Sequence, residues 1–137
     1  ITDTGVEAVA EACPALTYVA LGCLFGQVTD KGVCAIANGC RSLRYLDVSW
    51  AHGNVTDVAI TAVASRCPNF EHLVLGGTIG AVTNAAICAI ADRCPKLRGL
   101  EVVDSLGAIT DTAFEAIAAK CPDFEQLIVT RAGEGAV

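Results

Sequence analysis

Methionine does not occur in this chain, and aromatic side chains make up only 5% of it: four Phe, two Tyr and one Trp. Large rings therefore cannot fill the interior. Hydrophobic residues still account for 53% of the composition, so the core has to be assembled from small and branched pieces, chiefly Ala, Val, Ile and Leu. Cations are scarce as well. Nine Lys and Arg against fifteen Asp and Glu leave a formal charge of −6, with two His counted as neutral. A surface that binds phosphates needs a basic face, so no nucleic acid is expected as a partner. Polar residues interrupt every apolar stretch well short of the roughly 18 residues that a bilayer-spanning helix requires, so no membrane is expected either. There are eight Cys but no Cys-x-x-Cys, which removes the usual tetrahedral metal spacing. Gly76-Gly77 and the isolated turn glycines are not followed by Lys-Ser/Thr, so they form no phosphate cradle.

What the chain does have is a phrase repeated at a fixed interval. Ile1, Val28, Val55, Val82 and Ile109 each open the same sequence: Ile/Val-Thr-Asp/Asn, an Ala-rich amphipathic run, a Cys usually followed by Pro, then Leu-x-x-Leu-x-Leu. The interval is 27 residues without slippage, and a period in this range marks a solenoid whose repeats bury their faces on one another. The chain reads as one domain, residues 1–137, with repeats starting at 1, 28, 55, 82 and 109. It opens inside a repeat phrase and shows no leader, so it is expected to be a piece of a longer array.

Within a repeat the periodicity changes once. In the second copy Val33, Ile36, Ala37 and Cys40 fall at i, i+3, i+4 and i+7, one face of a helix beginning at Thr29-Asp30. Asp3, Asp30, Asp57 and Asp111, with Asn84 in the fourth copy, stand where a side chain can cap the helix and oppose its dipole. Arg66, Arg93 and Lys120 stand at the opposite end, where a cation is favoured. The unbroken column Ala10, Ala37, Ala64, Ala91, Ala118 implies a close approach of helix to sheet. Ala10, with a neighbour on one side only, is expected to tolerate enlargement better than Ala91. Pro14, Pro68, Pro95 and Pro122 stop four of the helices, and Leu43-x-x-Leu46-x-Val48 then alternates as a strand. Gly26, Gly53, Gly80 and Gly107 turn the chain back. The fold class is α/β: five strand–turn–helix repeats stacked on a parallel sheet. Strands stack about 4.8 Å apart and helices about 8–10 Å apart, so the array bends into a horseshoe arc with a concave sheet and convex helices.

Leu-x-x-Leu-x-Leu together with Thr-Asp-x-Gly (Asp3-Thr4-Gly5, Asp30-Lys31-Gly32) and a Cys closing each helix resembles the cysteine-containing leucine-rich repeats, as in the repeat half of F-box/leucine-rich-repeat proteins. The resemblance covers the whole chain and implies a leucine-rich-repeat solenoid that serves as a recognition scaffold. Two departures stand out. Leu24, Ala51, Thr78 and Ser105 occupy the place where the family usually has a Cys or Asn bonded to the turn, and one extra residue follows. The turn after each strand should therefore be looser. These residues include no F-box segment, so they are not expected by themselves to support a role in ubiquitin ligation.

Catalytic constellations are wanting. Cys13, Cys40, Cys67, Cys94 and Cys121 recur one repeat apart, and helices at about 8–10 Å keep them beyond the roughly 7 Å reach of a disulfide. They read as five buried, reduced thiols behaving as small hydrophobes, which favours the cytoplasm or another reducing compartment. Cys23 and His52 lie on adjacent repeats and could form a nucleophile–base or metal pair, but nothing supplies a third group. The chain is therefore read as no enzyme, with no cofactor and no metal.

The concave face is more informative. Its outward columns run Tyr18, Tyr45, His72, Gly99, Gln126, then Ala20, Asp47, Val74, Glu101, Ile128, and at the strand exit Cys23, Trp50, Gly77, Asp104, Arg131. Tyr and Trp are favoured interface anchors. The candidate partner-binding residues are Tyr18, Tyr45, Asp47, Trp50, His72, Glu101 and Asp104. They point to a non-catalytic module that recognises a protein partner, of unspecified identity, through its sheet. A second reading stays open: a structural subunit held in a larger complex through uncapped ends or convex helices, because the first and last copies lack the polar faces of capping repeats.

Overall fold

The computed structural model describes residues 1–22, 27–105 and 107–131. Helices α1 (Asp3–Ala12), α2 (Asp30–Gly39), α3 (Asp57–Arg66), α4 (Asn84–Arg93) and α5 (Asp111–Lys120) alternate with strands β1 (Tyr18–Ala20), β2 (Tyr45–Asp47), β3 (His72–Gly76), β4 (Gly99–Val103) and β5 (Gln126–Thr130). The strands form one parallel sheet in chain order, and each residue pairs with the residue one repeat on: Tyr18 with Tyr45, Tyr45 with His72, His72 with Gly99, Gly99 with Gln126. Leu46, Leu73, Leu100, Val48, Leu75 and Val102 point from the sheet into the core beside Val33, Ile60 and Ile87 of the helices, and Phe70 is wholly buried among them. Each such side chain contributes about 1.5–3 kcal/mol when fully removed from water.

The Asp column does something other than capping its own helix. Thr29, Thr56 and Thr83 are the caps: each is extended, and its hydroxyl accepts from an N–H of the first turn. The Asp side chain instead crosses to the next repeat. Asp3 Oδ1 accepts from Thr29 N at 2.8 Å and Gly32 N at 3.1 Å, while the Thr29 hydroxyl donates to Oδ2 at 2.6 Å. Asp30 holds Thr56 and Asp57 holds Thr83 in the same way. In the fourth copy Asn84 Oδ1 accepts from Thr110 N and Nδ2 donates to the Thr110 hydroxyl at 2.7 Å. With its hydroxyl receiving that proton, Thr110 makes no cap bond, and neither does Thr2.

The Cys column points the other way. Cys40 Sγ donates to the Cys13 carbonyl at 3.4 Å and lies 3.9 Å from that of Ala10; Cys67, Cys94 and Cys121 repeat this contact with the helix before them. Each Cys carbonyl already accepts an N–H from the turn after its helix, Leu16 N on Cys13 and Leu43 N on Cys40 for example, so the thiol adds a second contact at the helix end one repeat back. Cys13 has no such neighbour among the described residues and is exposed, which corrects the expectation of five buried thiols. The seven described cysteines are all free. The Ala column faces forward. A methyl on Gly39 would lie 2.6 Å from the Ala10 carbonyl, so the tight approach is between helices rather than from helix to sheet. Ala10 is accordingly 3% exposed and Ala91 1%, while Ala118 at the far end is open. The expectation that Ala10 sits at a permissive end is reversed by this polarity.

The turns after β2 and β3 are tight rather than loose. Asn54 N donates to Ala51 O and Ala81 N to Thr78 O, both at 3.0 Å, and both central residues have positive φ: His52 and Gly53 at 51° and 80°, Ile79 and Gly80 at 53° and 73°. That is a type I′ turn. Its last carbonyl, on Asn54 or Ala81, then accepts the first N–H of the preceding helix, at Asp30 or Asp57. Leu24 and Gly26, the corresponding positions after the first strand, lie outside the described residues.

Candidate functional site

Alternation along the strands sends the odd residues of each short segment away from the helices, and the strict register sets them in rows. Tyr18 and Tyr45 stack with ring centroids 4.1 Å apart and planes 5° from parallel; His72 follows at 6.4 Å with a 32° tilt. Gly99 ends the row for a steric reason. A Cβ there would meet the His72 ring at 2.4 Å, so the missing side chain is the seat on which the imidazole lies. Tyr18 is 60% exposed, and Tyr45 and His72 are partly covered. Burial first, then the neighbouring Tyr18 hydroxyl and the Asp47 and Glu101 carboxylates, push the Tyr45 phenol up to about 12. It is a neutral hydrogen-bonding ring at physiological pH.

The second row carries Asp47 on β2 and Glu101 on β4, with Val74 between them on β3. Asp47 Oδ1 accepts from the Ser49 N–H at 2.8 Å and the Ser49 hydroxyl at 2.6 Å, which fixes the carboxylate beside Gly22, where a Cβ would lie 3.4 Å from both of its oxygens. At the strand exit Trp50, Gly77 and Asp104 share an unusual backbone, with φ of 63°, 56° and 60°. Trp50 lies over Gly77, where a Cβ would strike the indole at 2.4 Å. The seven sequence-predicted residues thus divide into two rows and an exit column on one continuous surface. Cys23, which would begin the exit column and pair with His52, lies outside the described residues.

Three features of this surface escaped the sequence reading. Gly77 and Gly99 are seats for Trp50 and His72, a role that residue type alone does not declare. Ser49 orients Asp47. Along the strand entry, Arg44 pairs with Glu71 in a two-pronged contact, both bonds 2.9 Å, and Arg98 pairs with Glu125 at 2.7 Å. The signal was present: alternating sign at one place in successive repeats. The Arg44 guanidinium, opposed by partial burial, holds the Glu71 carboxyl below its ordinary range. This border is internally neutralised.

Burial, reinforced by the neighbouring thiols, pushes Cys67 up to about 11 and Cys94 up to about 12, so neither carries the thiolate a nucleophile needs. Among the described residues no three His, Cys, Asp or Glu side chains come together as a metal site, and no helix is long and apolar enough to cross a membrane.

No family model matches the chain, and no curated protein matches it. Solved structures do. A chain from the crystal structure of the Rad7 and Elc1 complex in yeast aligns with 92% of this chain at a TM-score of 0.65 and 24% identity. The C-terminal domain of tropomodulin from Caenorhabditis elegans aligns with 99% at 0.64 and 6% identity, over 87% of its own length. This chain spans 30% of the yeast chain it matches. The likeness is one of fold: the molecule is a leucine-rich-repeat solenoid, an α/β arc with the sheet on its inner side.

Proposed function

We propose that this chain is a non-catalytic recognition module of the cysteine-containing leucine-rich-repeat type, which holds a protein segment on its concave sheet. The observation that carries the reading is the outward-facing Tyr18–Tyr45–His72 row, ended by Gly99 and flanked by Trp50 on Gly77. Rings already immobilised by their neighbours lose little freedom on binding, which is what a recognition surface needs. The yeast relative comes from a complex of two proteins, in keeping with this reading. Free, uncharged thiols along the helix ends fit a reducing compartment such as the cytoplasm. The test is a random dodecapeptide library panned on the chain, with selected peptides measured against Tyr18→Ala/Tyr45→Ala/Trp50→Gly, the last change copying Gly77. Affinity should fall at least about tenfold while circular dichroism is unchanged. Equal affinity would refute the concave site.

A second reading, a subunit locked into a larger assembly by its ends, is favoured by one observation. Ile1 at 82% exposure and Val9 at 46% open one end face, and Leu127 at 50% and Val129 at 56% open the other. Sedimentation velocity separates the two readings: a monomer across concentration speaks against the assembly, concentration-dependent stacking for it.

A further inference from the structure

Resting on the concave-face reading, we infer that the segment held there is basic and presents two Arg or Lys side chains three residues apart, one over Asp47 and one over Glu101. The charges of this molecule are sorted by face. Of the nine Lys and Arg, Lys31, Arg66, Arg93 and Lys120 are on helices, Arg41 and Lys96 just beyond helix ends, and Arg44 and Arg98 at the strand entry, paired with Glu71 and Glu125. Arg131 alone stands in the outward columns of the sheet, beside Asp104 at the last strand. Asp47 and Glu101 have no cation in their row. Asp47 Oδ2 and both oxygens of Glu101 make no hydrogen bond or ion pair among the described residues, and Ser49 holds Asp47 in place.

The spacing selects the ligand geometry. β2 and β4 are two strands apart, about 10 Å. An extended polyproline-like segment returns the same side to the surface every three residues, an advance of about 9 Å. Two cations three residues apart therefore meet both carboxylates in one pass across the strands, with Val74 beneath the residues between them. The stems of Arg or Lys can lie along the Tyr45 and His72 rings, and an Arg plane can cover the exposed face of Tyr18. An acidic segment would face two carboxylates with no cation in their row. A neutral one would leave them partly desolvated with nothing in exchange.

The same dodecapeptide library tests this. Selected peptides should be enriched in Arg/Lys pairs at i, i+3. Their affinity should fall about tenfold for Asp47→Asn/Glu101→Gln, and less than about twofold for Glu11→Gln/Glu115→Gln, which removes equal charge from the helices. Asp47→Asn keeps an oxygen for Ser49 to bind, and Glu101→Gln alone repeats the measurement without touching that turn. Equal losses in the two double variants would overturn the inference, because the overall field would then account for binding. Neutral or acidic peptides that still need Tyr18, Tyr45 and Trp50 would overturn the basic partner and leave the concave site standing. Peptides indifferent to those three rings, or no binders at all, would overturn both.

Discussion

A single thiol shows how closely this array is fitted. Cys67 reaches the Cys40 carbonyl at 3.6 Å and the Ala37 carbonyl at 3.9 Å. Those are sulfur distances. A Ser hydroxyl has a shorter bond to Cβ and wants its acceptor near about 2.8 Å, so it would bond neither carbonyl well. Cys67→Ser should cost about 1–3 kcal/mol in urea unfolding, and a wild-type midpoint would contradict this. Enlarging the Ala column tests its direction. Ala91→Leu and Ala10→Leu should each cost about 1–3 kcal/mol, and Ala118→Leu less than about 0.5 kcal/mol. Ile79 is a strained point: a β-branched residue at φ 53°, exposed, in the first central position of its turn. Ile79→Asn should raise stability by about 1 kcal/mol, since Asn tolerates that backbone. The glycine column announced a turn in the sequence. Nothing announced that the residue before it would share the left-handed conformation, because the β-branched Ile79 avoids it and the two positions, His52 and Ile79, share no residue type.

Helices and strands were readable because two periodicities alternate within an interval that never slips; one repeat determined all five. The joints between repeats were harder. Thr and Asp are both common at helix starts, so residue type could not say that Thr caps while Asp crosses to the next copy. That crossing makes the first joint acid-sensitive. Burial opposes ionisation of Asp3, but bonds from the Thr29 hydroxyl, Thr29 N and Gly32 N, with Lys31 nearby, outweigh it and lower its pKa. A carboxyl whose folded pKa lies below its unfolded value stabilises the fold fully above that unfolded value, about 4. The stabilisation is lost as pH falls through the folded value. Asp3→Asn keeps an oxygen for Thr29, as Asn84 does for Thr110, and titrates no proton. Its stability should therefore fall less steeply than wild type between about pH 4 and pH 2 in urea titrations. Parallel acid limbs would show that the Asp3 bonds do not link the first two repeats.

The array as a whole has direction: carboxylates and Ala faces point forward, thiols point back. The two ends are consequently unlike, with Cys13 open at one and Ala118, Leu127 and Val129 open at the other. Native-state hydrogen exchange should be slowest in α3, β3 and α4, and fastest before Leu16 and in β5, where neighbours are missing. Uniform protection would mean the ends are covered in solution. The ring row was visible in the sequence because a period of two within a fixed repeat puts Tyr18, Tyr45 and His72 side by side. The glycine seats and the twisted strand exits depend on backbone conformation, which residue identity leaves undetermined. The central claim, that the concave sheet is the working surface, is tested most directly by amide chemical-shift mapping of the chain with a library-selected peptide bound. The account predicts perturbations centred on residues 45–50, 72–77 and 99–104, with the outer faces of α2, α3 and α4 unmoved. Perturbations centred on those helices, or on the end faces alone, would contradict it.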